Sequence, residues 1–108
     1  MSADKIRTEL VENLLAALSH MHDEDAIYAL LQDLCTVREI TEMSQRLEVA
    51  RLLDQGTSYL EIQELTGVSA TTISRVSKCL NYGSGGYGVA LAALSASDGQ
   101  DSGRPEEG

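Results

Sequence analysis

The sequence predicts an all-α fold, a multi-helix domain that carries a helix-turn-helix between Tyr59 and Leu80. Three observations lead there. Apolar residues recur at three- and four-residue spacing through successive segments, two S/T-x-x-E boxes stand at Thr36 and Ser58, and Gly67 separates two short helical patterns.

The first helix follows from Ile6, Leu10, Leu14 and Leu18, with Val11 and Leu15 beside them, a stripe too long for a strand. His20, His22 and Asp23 break the pattern, and Ala26, Ile27, Leu30, Leu31 and Leu34 resume it in a second amphipathic helix. In Thr36-Val-Arg-Glu39 the threonine side chain accepts from the glutamate N–H and the glutamate returns the bond, so a third helix starts there. It continues through Ile40, Met43, Leu47, Ala50 and Leu53, a spacing suited to packing on other helices, and Gly56 ends it. Ser58-Tyr-Leu-Glu61 opens a short fourth helix, with Ile62 and Leu65 expected inward. Gly67 closes it, because the tight interhelical turn needs a positive φ that a β-carbon resists. Ser69 caps a fifth helix running to Leu80, with Ile73, Val76 and Leu80 on one face and Thr71, Thr72, Ser74, Arg75 and Lys78 around the others. A weak last helix is expected over Tyr87 to Leu94, where Val89, Leu91 and Leu94 recur.

The organisation expected is a helical DNA-binding and dimerisation domain over 1–82, a glycine-rich linker with that weak helix over 83–95, and a disordered acidic tail over 96–108. The tail composition buries too little apolar surface to offset the entropy of ordering it. A core of roughly eighty residues buries only about 60% of its unfolded surface, so pairing with a second copy is expected on physical grounds.

The chain of 108 residues has a formal net charge of -9, which opposes simple basic binding to nucleic acid, since neutralised phosphates supply most non-specific affinity. The distribution is uneven. Residues 1–66 carry five Lys/Arg against thirteen Asp/Glu, and 83–108 carry one against four. Residues 67–82 carry Arg75 and Lys78 with no acid, so the only net-positive segment is the proposed reading helix. No run of about 18 apolar residues offers a membrane span, and the acidic and basic residues at Asp4, Lys5, Arg7 and Glu9 stand where a signal peptide would need an apolar stretch. A cytoplasmic protein is expected. Cys35 and Cys79 match no paired spacing and read as small buried thiols. His20 and His22, at i and i+2, share no helical face, so no metal site is assigned. No nucleophilic set and no phosphate-cradling glycine loop is present, and neither enzymatic activity nor a cofactor is expected.

A helix fits the major groove, and residues near the start of the second helix of such a motif reach base edges. The DNA-contact candidates are Ser69, Ala70, Thr71, Thr72, Ser74, Arg75 and Lys78, with Gly67 at the turn. Short hydroxyl side chains allow close approach, and the two cations suit phosphate. Leu34-Cys-Thr-Val, Gln45-Arg-Leu-Glu-Val-Ala-Arg and Ile73-Ser-Arg-Val-Ser-Lys-Cys-Leu-Asn-Tyr-Gly83 resemble the Trp-repressor-like superfamily, in its YerC/YecD branch. The resemblance spans Leu34 to Leu91, about half the chain. It implies an intertwined all-α homodimer whose two reading heads face successive major grooves of double-stranded DNA, about 34 Å apart as in the Trp repressor itself.

The same resemblance places Arg46 and Arg75 where two arginines sandwich bound tryptophan, and marks Thr36, Arg46, Arg75 and Val76 as a vestigial ligand pocket. Where the tryptophan-binding protein has glycine, this chain has Val76, whose branched side chain is expected to fill the ligand's volume at a cost of about 1–3 kcal/mol for forcing both in. No useful tryptophan affinity is therefore expected. The fourth helix also departs from the pattern. It has Leu60 and Gln63 at positions that are basic in the Trp repressor, flanked by Glu61 and Glu64. Fewer phosphate contacts mean a shallower salt dependence. The expectation is a dimeric transcriptional repressor, with repression inferred from the family; the rivals are an acidic helical interaction module with little DNA binding of its own and an accessory subunit that binds DNA only within a complex.

Overall fold

The computed structural model describes residues 6–100, and the side chains to residue 96. Six helices account for them, α1 (Glu9–Ser19), α2 (Glu24–Leu34), α3 (Val37–Asp54), α4 (Tyr59–Thr66), α5 (Ala70–Tyr82) and α6 (Gly86–Gln100), with no strand among the described residues. The chain divides into two compact units, Met1–Ile40 and Thr41–Gly108.

In the first unit, local capping sets the boundaries. Thr8 accepts from the Val11 N–H at 3.3 Å, which starts α1 after Ile6 rather than at it. Asp23 accepts from the Ala26 N–H at 3.0 Å and starts α2, so this acid serves the backbone. The His20 ring nitrogen Nδ1 lies 2.8 Å from the Ala16 carbonyl oxygen at the end of α1. Thr36 and Glu39 form the reciprocal box that the sequence predicts, at 3.0 Å from the Glu39 N–H to Oγ1 and 2.8 Å from the Thr36 N–H to the carboxylate. Neither α1 nor α2 contains a buried residue, and the apolar stripe they carry faces outward at Leu10, Leu14, Tyr28 and Leu34.

The second unit has a true core. Val49, Ala50 and Leu52 of α3, Ile62 of α4, Ile73 and Val76 of α5 and Leu91 of α6 are its buried residues, with Leu47, Leu53, Val68, Leu80 and Tyr87 packed around them. Two sequence expectations need correction. Leu65 points outward at 63% exposure, because α4 is short and Ile62 alone takes its central inward position. On α3, Val49 and Leu52 join Ala50 inside, while Met43 stays 39% exposed, since the partners α4–α6 meet only the C-terminal half of this helix's apolar surface.

The C-terminal segment departs further from expectation. The last helix extends from Gly86 to Gln100 rather than stopping at Leu94, so residues 96–100 are helical and not part of a disordered tail. Alanine is the strongest helix former, and Ala90, Ala92, Ala93 and Ala96 sustain the segment once Leu91 is buried and Tyr87 packs on the core. The rest of the expected tail, 101–108, lies outside the described residues.

Arg51 and Glu48 form a two-bond ion pair on α3, at 2.6 and 2.9 Å, and the guanidinium holds the Glu48 carboxyl below the usual carboxylate range. Its stabilisation is therefore present at neutral pH and lost as pH falls through that lowered value. With both side chains more than two-fifths exposed, solvent keeps the pair below about 1 kcal/mol.

The turns that orient α4 and α5 are built from backbone bonds. After α3 the Thr57 N–H donates to Leu52 and the Gly56 N–H to Leu53, both at 3.0 Å, the paired bonds of a Schellman end. After α4 the Gly67 N–H donates to Gln63 at 2.8 Å with φ at 79°, and the Thr66 hydroxyl accepts from the Val68 N–H at 3.2 Å. A β-carbon at Gly67 would meet open space, so its cost is conformational alone. Gly67→Ala is expected to lower stability by about 1–2 kcal/mol and Gly67→Asn by less, read from chemical denaturation midpoints.

Candidate nucleic-acid interface

Helix α5 presents two opposed faces. Ile73 and Val76 are buried and Leu80 packs beside them, while Thr71, Ser74, Arg75 and Lys78 recur at three- and four-residue spacing on the exposed side. Ala70, Thr71, Ser74, Arg75 and Lys78 together line one open depression of about 470 Å³. Five of the seven DNA-contact candidates thus share a surface. Neither Arg75 nor Lys78 has an ion-pair partner among the described residues.

Ser69 and Thr72 are otherwise engaged. Ser69 caps α5 by accepting from the Thr72 N–H at 3.2 Å, and its hydroxyl donates to the Thr72 hydroxyl at 3.2 Å. Both line a neighbouring polar cleft with Glu42, Gln45, Arg46 and Val68. Their first role is to fix where α5 begins, which sets the level at which Thr71 and Ser74 emerge.

Helix α4 brings no cation to this region. Leu60, Glu61 and Glu64 are exposed and Gln63 is half-buried, so the cations lining the depression and clefts beside α5 are Arg75 and Lys78 of α5 and Arg46 of α3.

A second cleft of about 330 Å³ shares Arg75 with the open depression and is lined by Arg46, Arg75, Val76, Cys79 and Tyr87. Three of the four residues assigned to a ligand pocket meet there. The fourth, Thr36, is not among the lining residues and is occupied as the cap of α3. Val76 is 2% exposed, packed into the core, and forms part of the cleft wall. The cysteines are not buried as expected: Cys35 is half-buried at the end of α2, and Cys79 is exposed on the cleft wall. Tyr87 was hidden in sequence inside a glycine-rich stretch that reads as a linker. An aromatic residue four positions before the apolar Leu91 was the available signal.

The sequence model described as Trp repressor protein matches residues 9–95. The chain belongs to the Trp repressor family. It is 44% identical over 91 residues to the uncharacterized protein YerC of Bacillus subtilis, covering 84% of this chain and 88% of that one. A solved TrpR-like protein from Eubacterium eligens superposes with a TM-score of 0.80 at 43% identity, over 85% of this chain and 95% of the other. A candidate Trp repressor from Staphylococcus aureus superposes with the same score at 36% identity, over 88% and 95%. Within this Trp repressor fold, the helix-turn-helix spans α4 and α5, and no described helix is long and apolar enough to cross a membrane.

Proposed function

We propose that the chain is a sequence-specific DNA-binding regulator, acting in the cytoplasm as a dimeric repressor that reads the major groove with α5. The observation that carries this reading is the exposed face of α5, where Arg75 and Lys78 stand without ion-pair partners beside Thr71 and Ser74, on a helix held by buried Ile73 and Val76. Membership of the Trp repressor family supports it. Residues with small hydroxyl groups approach base edges, while the two cations neutralise phosphates.

The first unit supports dimerisation. Leu10 at 79% and Leu34 at 56% exposure lie on helices with no buried residue, and exposed apolar residues of this kind mark an interaction surface when they cluster. A second copy is the occupant that the small size of the domain calls for. Leu10→Asp with Leu14→Asp is expected to convert a dimer to a monomer of 11.6 kDa in sedimentation analysis; a wild-type chain already monomeric at micromolar concentration refutes the dimer.

The regulator is not proposed to take tryptophan as its signal, because Val76 stands where the tryptophan-binding protein has glycine and Tyr87 shares the cleft. Calorimetry is expected to show no saturable binding at micromolar tryptophan.

A second reading has its own support. The outward face of α4 carries exposed Leu60, Leu65, Glu61 and Glu64, an apolar and acidic surface suited to protein and not to phosphate. Selection from a random duplex pool at moderate salt separates the two. Enrichment of a two-fold palindrome with half-sites one helical turn apart supports the repressor. No enrichment even at low salt leaves the protein-interaction module.

A further inference from the structure

Arg75 belongs to two surfaces at once. It lines the open depression with Ala70, Thr71, Ser74 and Lys78, and it lines the second cleft with Arg46, Val76, Cys79 and Tyr87. Its long side chain can therefore reach toward a phosphate or fall back into the cleft, and the cleft wall decides which. Its lining residues include two arginines and no acid, and neither arginine has an ion-pair partner among the described residues. Two like charges facing one cleft repel unless something there favours them.

The one aromatic group on the wall is Tyr87. Its position is set by the chain around it. At Gly83 a β-carbon would collide with the carbonyl oxygen of Cys79, so only glycine permits the close exit from α5 that lets α6 return to the core. Leu91, one helical turn beyond Tyr87, is buried, and Tyr87 is itself half-buried against the core cluster. The ring is thus anchored while the guanidinium of exposed Arg75 is not. Guanidinium planes are attracted to aromatic faces and keep their hydrogen-bonding edge free when stacked there.

We infer that Tyr87 is a positioning residue for DNA reading, its anchored ring giving Arg75 and Arg46 a common wall that directs the Arg75 side chain out toward the DNA backbone. The inference rests on the DNA-reading function proposed above. Without the ring, Arg75 samples many directions, and ordering it on binding diminishes the affinity that its charge supplies.

The test uses the full chain with Tyr87→Phe, Tyr87→Leu, Arg75→Ala and the Tyr87→Leu/Arg75→Ala double variant. Leucine keeps apolar packing against the core, so thermal unfolding shows whether each variant remains folded. Binding to the duplex enriched from the random pool, or to a random-sequence duplex if none is enriched, is followed over a salt series. Side-chain Nε–Hε resonances of Arg75 are recorded in the free protein. Tyr87→Phe is expected to bind within about twofold of wild type, since the ring is retained. Tyr87→Leu is expected to lose about tenfold in affinity at about 0.1 M salt, with the slope of log K against log salt shallower by up to about 0.9. Arg75→Ala should match it, and the double variant should lose no more. The Arg75 resonance should move in Tyr87→Leu and hold in Tyr87→Phe. An unchanged slope together with an unmoved resonance in Tyr87→Leu overturns the inference, as do additive losses in the double variant. If the wild type binds no DNA, the proposed function fails separately, and the Arg75 resonance alone decides whether the ring positions that side chain.

Discussion

Arg75→Ala combined with Lys78→Ala is expected to weaken DNA binding roughly 50-fold at about 0.1 M salt, and to do so for every sequence alike, because each phosphate contact contributes about 0.9 to the salt slope. The two residues supply the only cations of the segment 67–82, and both stand on the exposed face of α5 without ion-pair partners among the described residues. In a chain of net charge -9, few other groups can replace them. Fluorescence anisotropy across a salt series measures the effect as a slope shallower by about 1.8. An unchanged affinity shows that these side chains do not face the backbone of the DNA. Substitutions at Thr71 or Ser74 should behave differently, changing the preferred sequence while leaving the slope in place, because base contacts carry sequence information and phosphate contacts do not.

Ile73→Ala is expected to cost about 2–5 kcal/mol of folding stability, the range for emptying a fully buried aliphatic position. Ile73 has no exposed surface and sits among Val49, Ile62, Val76 and Leu91, where α3, α4, α5 and α6 converge. A domain of this size has only about 5–15 kcal/mol in total, so the loss is a large share of it. Chemical denaturation gives the magnitude, and DNA binding should fall in proportion to the folded fraction. Arg75→Ala with Lys78→Ala should leave the denaturation midpoint nearly unmoved, within about 0.5 kcal/mol for exposed positions. A stability loss below about 1 kcal/mol for Ile73→Ala would mean that the core collapses around the gap and that α5 is held mainly by its caps.

The features legible in sequence are those whose determinants lie within a few residues of one another. The caps at Thr36, Ser58 and Ser69, the positive-φ turn at Gly67 and the opposed faces of α5 all rest on contacts at three or four residues' separation, and all occur where the spacing predicts. Ser69 and Thr72 show the limit of that logic. Residue type made both candidates for DNA; the bond between them is local, but the polar cleft they share with Glu42, Gln45 and Arg46 depends on where α3 lies.

By itself, then, the sequence determined an all-helical chain, the boundaries of α4 and the start of α5, which runs to Tyr82 rather than stopping at Leu80, and the concentration of its positive charge on one short helix, since periodicity, capping and local charge need no distant partner. Tertiary structure alone decided that Val49 and Leu52 rather than Met43 enter the core, that Leu65 faces water, and that α6 returns to place Tyr87 in one cleft with Arg46 and Arg75. The physical reason is the same for all three. Burial depends on which surface another helix happens to cover, and a covering helix brought back through a glycine exit leaves no periodic trace in the residues it covers.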